Sequence, residues 1–197
     1  MAAPEDPQRN PRVRLSALAI LSDAWYTLKR ATYDFQSGDG TWSEQQREVY
    51  DRGNGATILL RDETRDTVLL TRQFRMPAYL NGHPDGLLIE APAGLLDDED
   101  AETAIRREAE EETGYRVGAI ERIGEYFMSP GSVTERIAFF TGSYRAGERV
   151  SEGGGVEGEG EDIEVLEVTL AEAIAMVDRG EIVDGKTVLL LRLAHLA

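Results

Sequence analysis

The chain of 197 residues contains no cysteine and only two histidines, His83 and His195. Without cysteine there is no disulfide framework, no thiolate nucleophile and no thiolate metal site. Neither histidine has a partner at metal-ligand spacing, which argues against a histidine metal centre and a histidine general base. Long apolar runs are missing too: none approaches the roughly 18–20 residues of a membrane span. Basic residues are scarce, 21 Lys and Arg against 37 Asp and Glu. The formal net charge of −16 excludes a general attraction to nucleic acid or to an anionic membrane. Any phosphate is met locally. The cytoplasm is the expected compartment. "RNPRVR" before "LSALAIL" only faintly resembles a secretory leader, since the apolar run is minimal and "SDAW" is a poor cleavage site. It reads as a strand.

What is present is enough hydrophobic residue, 41%, to bury an ordinary core. Residues 1–11, with three prolines and no periodicity, predict a disordered tail. Residues 12–52 then carry three alternating or β-rich segments, "VRLSALAIL", "WYTLKRATYDF" and "WSEQQREVYDR", separated by polar turns. They predict an antiparallel β appendage. From residue 53 to 197 the pattern becomes mixed α/β. "GNGATILL", "TVLLTRQFR", "GLLIEAPAG", "IGEYFMSPG", "ERIAFFTGSY" and "DIEVLEVTL" read as strands, and "AEAIAMVDRG" and "TVLLLRLAHL" as closing helices. Residues 146–162, "AGERVSEGGGVEGEGED", have the composition of a surface loop: a solvated connector, or a lid that brings carboxylates to a site.

Between the third and fourth of these strands lies a helix with an apolar stripe of Ala101, Ala104, Ile105 and Ala109 and a terminating Gly114. Its "REAEEETG" places Glu108, Glu111 and Glu112 three and four residues apart, so their carboxylates project to one side. Each like-charge pair costs only about 0.2–0.5 kcal/mol, so a solvated acidic face is one reading. The other is a hard-cation site, because Mg²⁺ takes a few oxygen ligands from protein and the rest from water and substrate phosphates.

Arg107, Glu108, Glu111, Glu112 and Gly114 follow R-E-x-x-E-E-x-G, with Glu99 eight residues before Arg107. This resembles the box of the Nudix hydrolase superfamily. Gly94 and Glu99 are separated by four residues where that pattern has five, so either the loop is shorter here or Ala93 takes the glycine's place. The resemblance implies an α/β/α sandwich around a mixed sheet, Mg²⁺ or Mn²⁺ as cofactor, and hydrolysis of a nucleoside diphosphate linked to another moiety. It implies metal ligation by Glu108 and Glu112, with Glu111 third and the Ala93 carbonyl as a further ligand. Arg107 then orients a glutamate by ion pairing.

"REVYDRGNGATILL", "RQFR", "EAPAGLLDDE", "YFMSPGSVTE", "GGGVEGEGEDIEVLE" and "DGKTVLLL" together are similar to the GDP-mannose pyrophosphatase branch of that superfamily, near the ADP-ribose pyrophosphatases. The likeness runs from about residue 21 to 191, and the short spacing after Gly94 belongs to that branch as well. It implies a nucleotide sugar as substrate and a homodimer. Trp25 is expected near the nucleobase, with Gln46, Arg47 and Glu48 contributed from the appendage, across a two-fold to the other chain. Arg75 and Lys186 are expected on phosphate or sugar, Glu135 on polar groups of the ligand, and Glu161 as outer metal ligand. Trp25 stands where a tyrosine is usual, and the acidic loop is two residues longer than in the branch. From the residues alone, Trp25 reads equally as packing and Lys186 as a solvated lysine at a helix start, whereas Arg75, one of two arginines flanking an aromatic on so acidic a chain, favours phosphate binding over the exposed side of a strand. A carboxylate, Glu161, Glu164 or a box glutamate, is left to position or deprotonate the water. A sensor that binds nucleotide sugars without turnover is the non-enzymatic alternative, and it is expected to have lost box glutamates.

Overall fold

The computed structural model describes residues 10–155 and 162–196. The expected tail therefore lies, through residue 9, outside the described residues. The described chain divides into two compact units. One comprises residues up to Arg52 with Ser129–Glu135; the other comprises Gly53–Met128 and the chain from Arg136 onward.

The first unit is a three-stranded antiparallel sheet of β1 (Val13–Asp23), β2 (Thr27–Gln36) and β3 (Trp42–Asp51), in that order. β1 is exposed along its whole length. Residues 129–135 join this unit through the backbone: Tyr50 donates to the Ser132 carbonyl and Thr134 donates to that of Tyr50.

The second unit contains β4 (Gly55–Asp62), β5 (Thr67–Phe74), α1 (Met76–Leu80), β6 (Leu87–Glu90), β7 (Ala93–Leu95), α2 (Ala101–Thr113), β8 (Ile120–Phe127), β9 (Arg136–Ser143), β10 (Glu164–Thr169), α3 (Leu170–Asp178) and α4 (Gly185–Leu196). Its strands run in the order β10-β5-β4-β9-β8, with β6 on β5 and β7 on β4. β4 and β9 are parallel and the other pairs antiparallel, so the sheet is mixed.

Side chains alternate across a strand, and β4 shows what this does. Ala56, Ile58 and Leu60 pack with Ile105 and Ala109 of α2 and with Tyr144 on one face. Leu59 packs on the other with Phe139, Leu170, Ile174, Leu190 and Leu191, against α3 and α4. The sheet is thus covered by helices on both sides, the layered sandwich that the family resemblance implies, and the antiparallel N-terminal sheet is present as well.

Three local expectations are revised. "GLLIEAPAG" forms two strands, because Pro92 has no N–H to donate and its carbonyl instead accepts from Ile58 N (3.0 Å) and Thr57 Oγ1 (3.1 Å). "IGEYFMSPG" is a strand only through Phe127, the rest leaving the sheet. The short helix α1 has no counterpart among the predicted elements.

Candidate active site

α2 presents the glutamates, and its ends fix where it starts and stops. Asp100 caps the N-terminus, Oδ1 accepting from Glu102 N and Thr103 N at 3.1 Å each. Gly114 closes the C-terminus at φ 77°, the left-handed conformation that favours glycine. Ala104, Ile105 and Ala109 are buried, and so is Glu112, at 2% exposure. Glu108 and Glu111 are half-buried on the neighbouring face.

Arg107 binds three carboxylates. Its Nη1 lies 3.0 Å from both Glu108 Oε1 and Glu111 Oε2, while Nε and Nη2 lie 3.3 and 3.1 Å from Glu99 Oε2. Partial burial alone lowers the guanidinium pKa, but the Glu99 hydrogen bond and the charges of Glu108 and Glu111 outweigh it and raise the pKa far above its ordinary value. One permanent cation therefore offsets part of the crowding on α2.

β7 brings Ala93 and Gly94 to this helix. Gly94 lies so close that an added Cβ would stand 2.3 Å from Glu108 Cδ. The preceding loop is pinned by the Pro92 carbonyl bonds and by Ala91 N donating to Thr187 Oγ1 at 2.6 Å. The Ala93 backbone is therefore held firmly beside α2.

A second polar cluster surrounds Glu90, also 2% exposed. Arg75 reaches it with Nε at 2.7 Å and Nη2 at 3.2 Å, and Lys186 Nζ reaches Oε2 at 2.7 Å. Lys186 also bonds Asp184 Oδ1 at 2.8 Å, and Asp184 Oδ2 accepts from the Thr187 backbone and hydroxyl. Burial pushes the Glu90 carboxyl up, yet the bonds and charges of Arg75 and Lys186 prevail and hold it below the usual carboxylate range. Burial likewise depresses Lys186 and Arg75, and the carboxylates outweigh it in both, with Glu112 among those acting on Arg75. Glu90 and Asp184 were not identified from the sequence. The available signal was a single charge inside the apolar run "GLLIEAPAG".

In the first unit, Trp25 is 82% exposed with its ring edge-on to Tyr26, so it is no core residue. Gln46, Arg47 and Glu48 line, with Arg30, an open cavity of 430 Å³. Glu135 is half-buried, its carboxylate 3.4 Å from Arg52 Nε. Glu161 lies outside the described residues. Glu164 stands on β10 paired with Arg72.

Among the described residues no three His, Asp or Glu side chains form a ready-made metal cluster. The donor set nevertheless suits a hard divalent cation, which binds through one or two carboxylates together with water and substrate phosphates. Gly94, next to Ala93 on β7, is the point at which the backbone comes close to the Glu108 side chain.

A sandwich with this helix of glutamates defines a class, and comparison with known proteins names it: the NUDIX domain family model matches residues 51–191, and the chain belongs to that family. Residues 12–50 match the model described as GDP-mannose pyrophosphatase NudK N-terminal domain. A GDP-mannose pyrophosphatase of Salmonella arizonae is 56% identical over 178 residues, covering 90% of this chain and 92% of its own. Its counterparts from Yersinia enterocolitica and Pectobacterium atrosepticum are 52% and 54% identical over similar spans. A solved structure described as an ADP compounds hydrolase shares the fold, with TM-score 0.70 at 15% identity, covering 96% of this chain and 95% of that one. Proteins of this family generally use divalent metal ions, as the glutamates of α2 lead one to expect. Among the described residues, no helix is long and apolar enough to cross a membrane.

Proposed function

We propose that this chain is a Mg²⁺-dependent pyrophosphohydrolase that splits GDP-mannose into GMP and mannose 1-phosphate. The observation that carries the reading is identity of 52–56% sustained over about nine-tenths of both chains with relatives named for that activity. Base and sugar are read by contacts outside the glutamate box, so likeness confined to the box would say little of them.

The residues proposed to hold the cation are the Ala93 carbonyl, Glu108, Glu112 and Glu161, with Glu111 beside them; Mn²⁺ is the expected substitute for Mg²⁺. A bound divalent cation offsets the charge of the diphosphate, polarises its phosphoryl oxygens and acidifies an attacking water. Arg107 keeps Glu108 and Glu111 from repelling one another out of place. Arg75 and Lys186 meet phosphate or sugar oxygens, and Trp25, Gln46, Arg47, Glu48 and Glu135 serve the rest of the ligand. A carboxylate, Glu161, Glu164 or one from the box, positions or deprotonates the water. Residues 12–52 act as a dimerisation appendage to the hydrolase domain over 53–197, with residues 46–48 of one chain serving the site of the other. The expected compartment is the cytoplasm, and neither nucleic acid nor membrane is an expected partner.

The test is turnover of GDP-mannose beside ADP-ribose, ADP-glucose and GDP-glucose, with and without Mg²⁺, and with Glu112→Gln as control. GMP formed only with Mg²⁺, and lost at least about 100-fold in the variant, is the expected result for an interaction made at the reacting phosphate. Preference for ADP-ribose overturns the substrate assignment while keeping the reaction class. Binding of nucleotide sugars without any turnover favours a sensor.

A further inference from the structure

Glu90 ends a strand whose other residues are Leu87, Leu88 and Ile89. A carboxylate buried to 2% exposure in such surroundings is tolerated only if it is paired and hydrogen-bonded. Its partners come from distant points of the chain: Arg75, between β5 and α1, and Lys186, in the first turn of α4. Arg75 commits Nε and Nη2 to the two carboxylate oxygens, the planar fork that fixes a guanidinium in orientation as well as in place.

With Asp184, the cluster holds two cations and two carboxylates, so it sums to no formal charge. It cannot gather anions by excess charge; it can only present donors at fixed positions. The Arg75 side chain is 40% exposed and that of Lys186 15%, whereas that of Glu90 is 3%. Arg75 thus reaches the surface, Lys186 is only marginally exposed, as is Asp184 at 14%, and Glu90 is enclosed.

We propose that Glu90 is a positioning residue for the diphosphate: its buried carboxylate sets the spacing and orientation of Arg75 and Lys186 toward the phosphate oxygens. The inference rests on the reading that these two cations contact phosphate. Glu90 is too enclosed to touch the substrate and bears the wrong charge to hold it, so its action runs through the two cations.

The experiment is steady-state kinetics of the intact protein at saturating Mg²⁺, with thermal melts, for Glu90→Gln, Arg75→Ala, Lys186→Ala and the two doubles that combine Glu90→Gln with each. It is run on whichever of GDP-mannose and ADP-ribose the wild type hydrolyses, so an error of substrate assignment shows in the wild type and leaves the Glu90 test intact. Displacement of two phosphate donors by about 1 Å predicts a loss in kcat/KM of roughly 10–100-fold for Glu90→Gln. Once Arg75 or Lys186 is gone, Glu90→Gln is expected to add under about 3-fold, since residues acting as one unit are not additive. Losses that multiply in full in both backgrounds overturn the proposal. If Glu90→Gln does not fold, Arg75→Lys decides: it keeps the charge but loses the fork, so a loss of about 10-fold or more supports positioning and full activity overturns it.

Discussion

Gly94 faces Ala56 across the β4–β7 ladder, and a methyl group there would lie 2.3 Å from Glu108 Cδ and 2.7 Å from Oε2. Glu108 Cγ would lie at 2.4 Å as well, so the whole side chain, not the carboxylate alone, has to turn away and give up its 3.0 Å pairing with Arg107. Gly94→Ala is therefore expected to lower folding stability by about 1–3 kcal/mol, the usual cost of forcing a methyl group into a packed site. It should still lower metal-dependent kcat by about 10-fold or more, because the displaced group is one of the proposed cation ligands. Melting curves and kinetics on one preparation check this; unchanged turnover would remove Glu108 from the proposed set. At this scale sequence patterns are legible when the residues share one element. Arg107, Glu108, Glu111 and Glu112 could be placed together because a 3.6-residue period joins them. Glu90 could not, since its partners lie 15 and 96 residues away and no local period connects them.

α2 is bounded by two caps of different strength. Asp100→Ala removes one acceptor from two exposed backbone donors, a loss of about 1 kcal/mol. Gly114→Ala forces a left-handed alanine and brings its Cβ to 2.3 Å from the Ser151 carbonyl oxygen and 2.7 Å from Gly153 N. Both neighbours are backbone and cannot rotate away, so a loss of about 2–4 kcal/mol is expected. Urea titrations of the two variants should show the second midpoint falling well below the first; equal midpoints would mean that the 151–153 segment yields easily. That segment also marks where element-level reading ran out. The composition of residues 146–162 says loop, yet its first half is tied to α2: Val150 N and Ser151 N bond the Gly114 carbonyl, and Gly154 N and Gly155 N bond those of Glu112 and Glu111. Three glycines at positive φ, Gly153 to Gly155, make that wrapping possible, and composition alone does not distinguish them from a loose linker. α1, five residues long, is too short to show a period. The caps and apolar stripe of α2 were legible because each is local.

For the whole molecule, two opposed features bear on assembly: a net charge of −16 and an apolar strand, β1, that is exposed among the described residues. On β1, Val13, Leu15, Leu18, Ile20 and Leu21 are each between 39% and 63% exposed. A three-stranded sheet has too little area to bury such residues on its own, and leaving them in water forgoes about 25 cal/mol per Å². Self-repulsion works against association, so a dimer of this chain has to come from apolar burial and should tighten as salt screens the charge. The expected mass from light scattering at micromolar concentration is twice that of the chain, with dissociation favoured at low ionic strength. Leu18 and Ile20 lie two residues apart in a regular stretch of the β1–β2 ladder, hence on one face. Replacing both by glutamate puts two carboxylates per chain into the proposed interface, where removal from water costs several kcal/mol per ion. The double variant should be monomeric and, because residues 46–48 are proposed to serve the partner's site, should lose turnover with its melting curve still cooperative. A monomeric wild type would end the dimer proposal, and a variant that stays dimeric would move the interface away from β1. A monomeric variant that keeps full turnover would leave the dimer standing and show that each chain completes its own site.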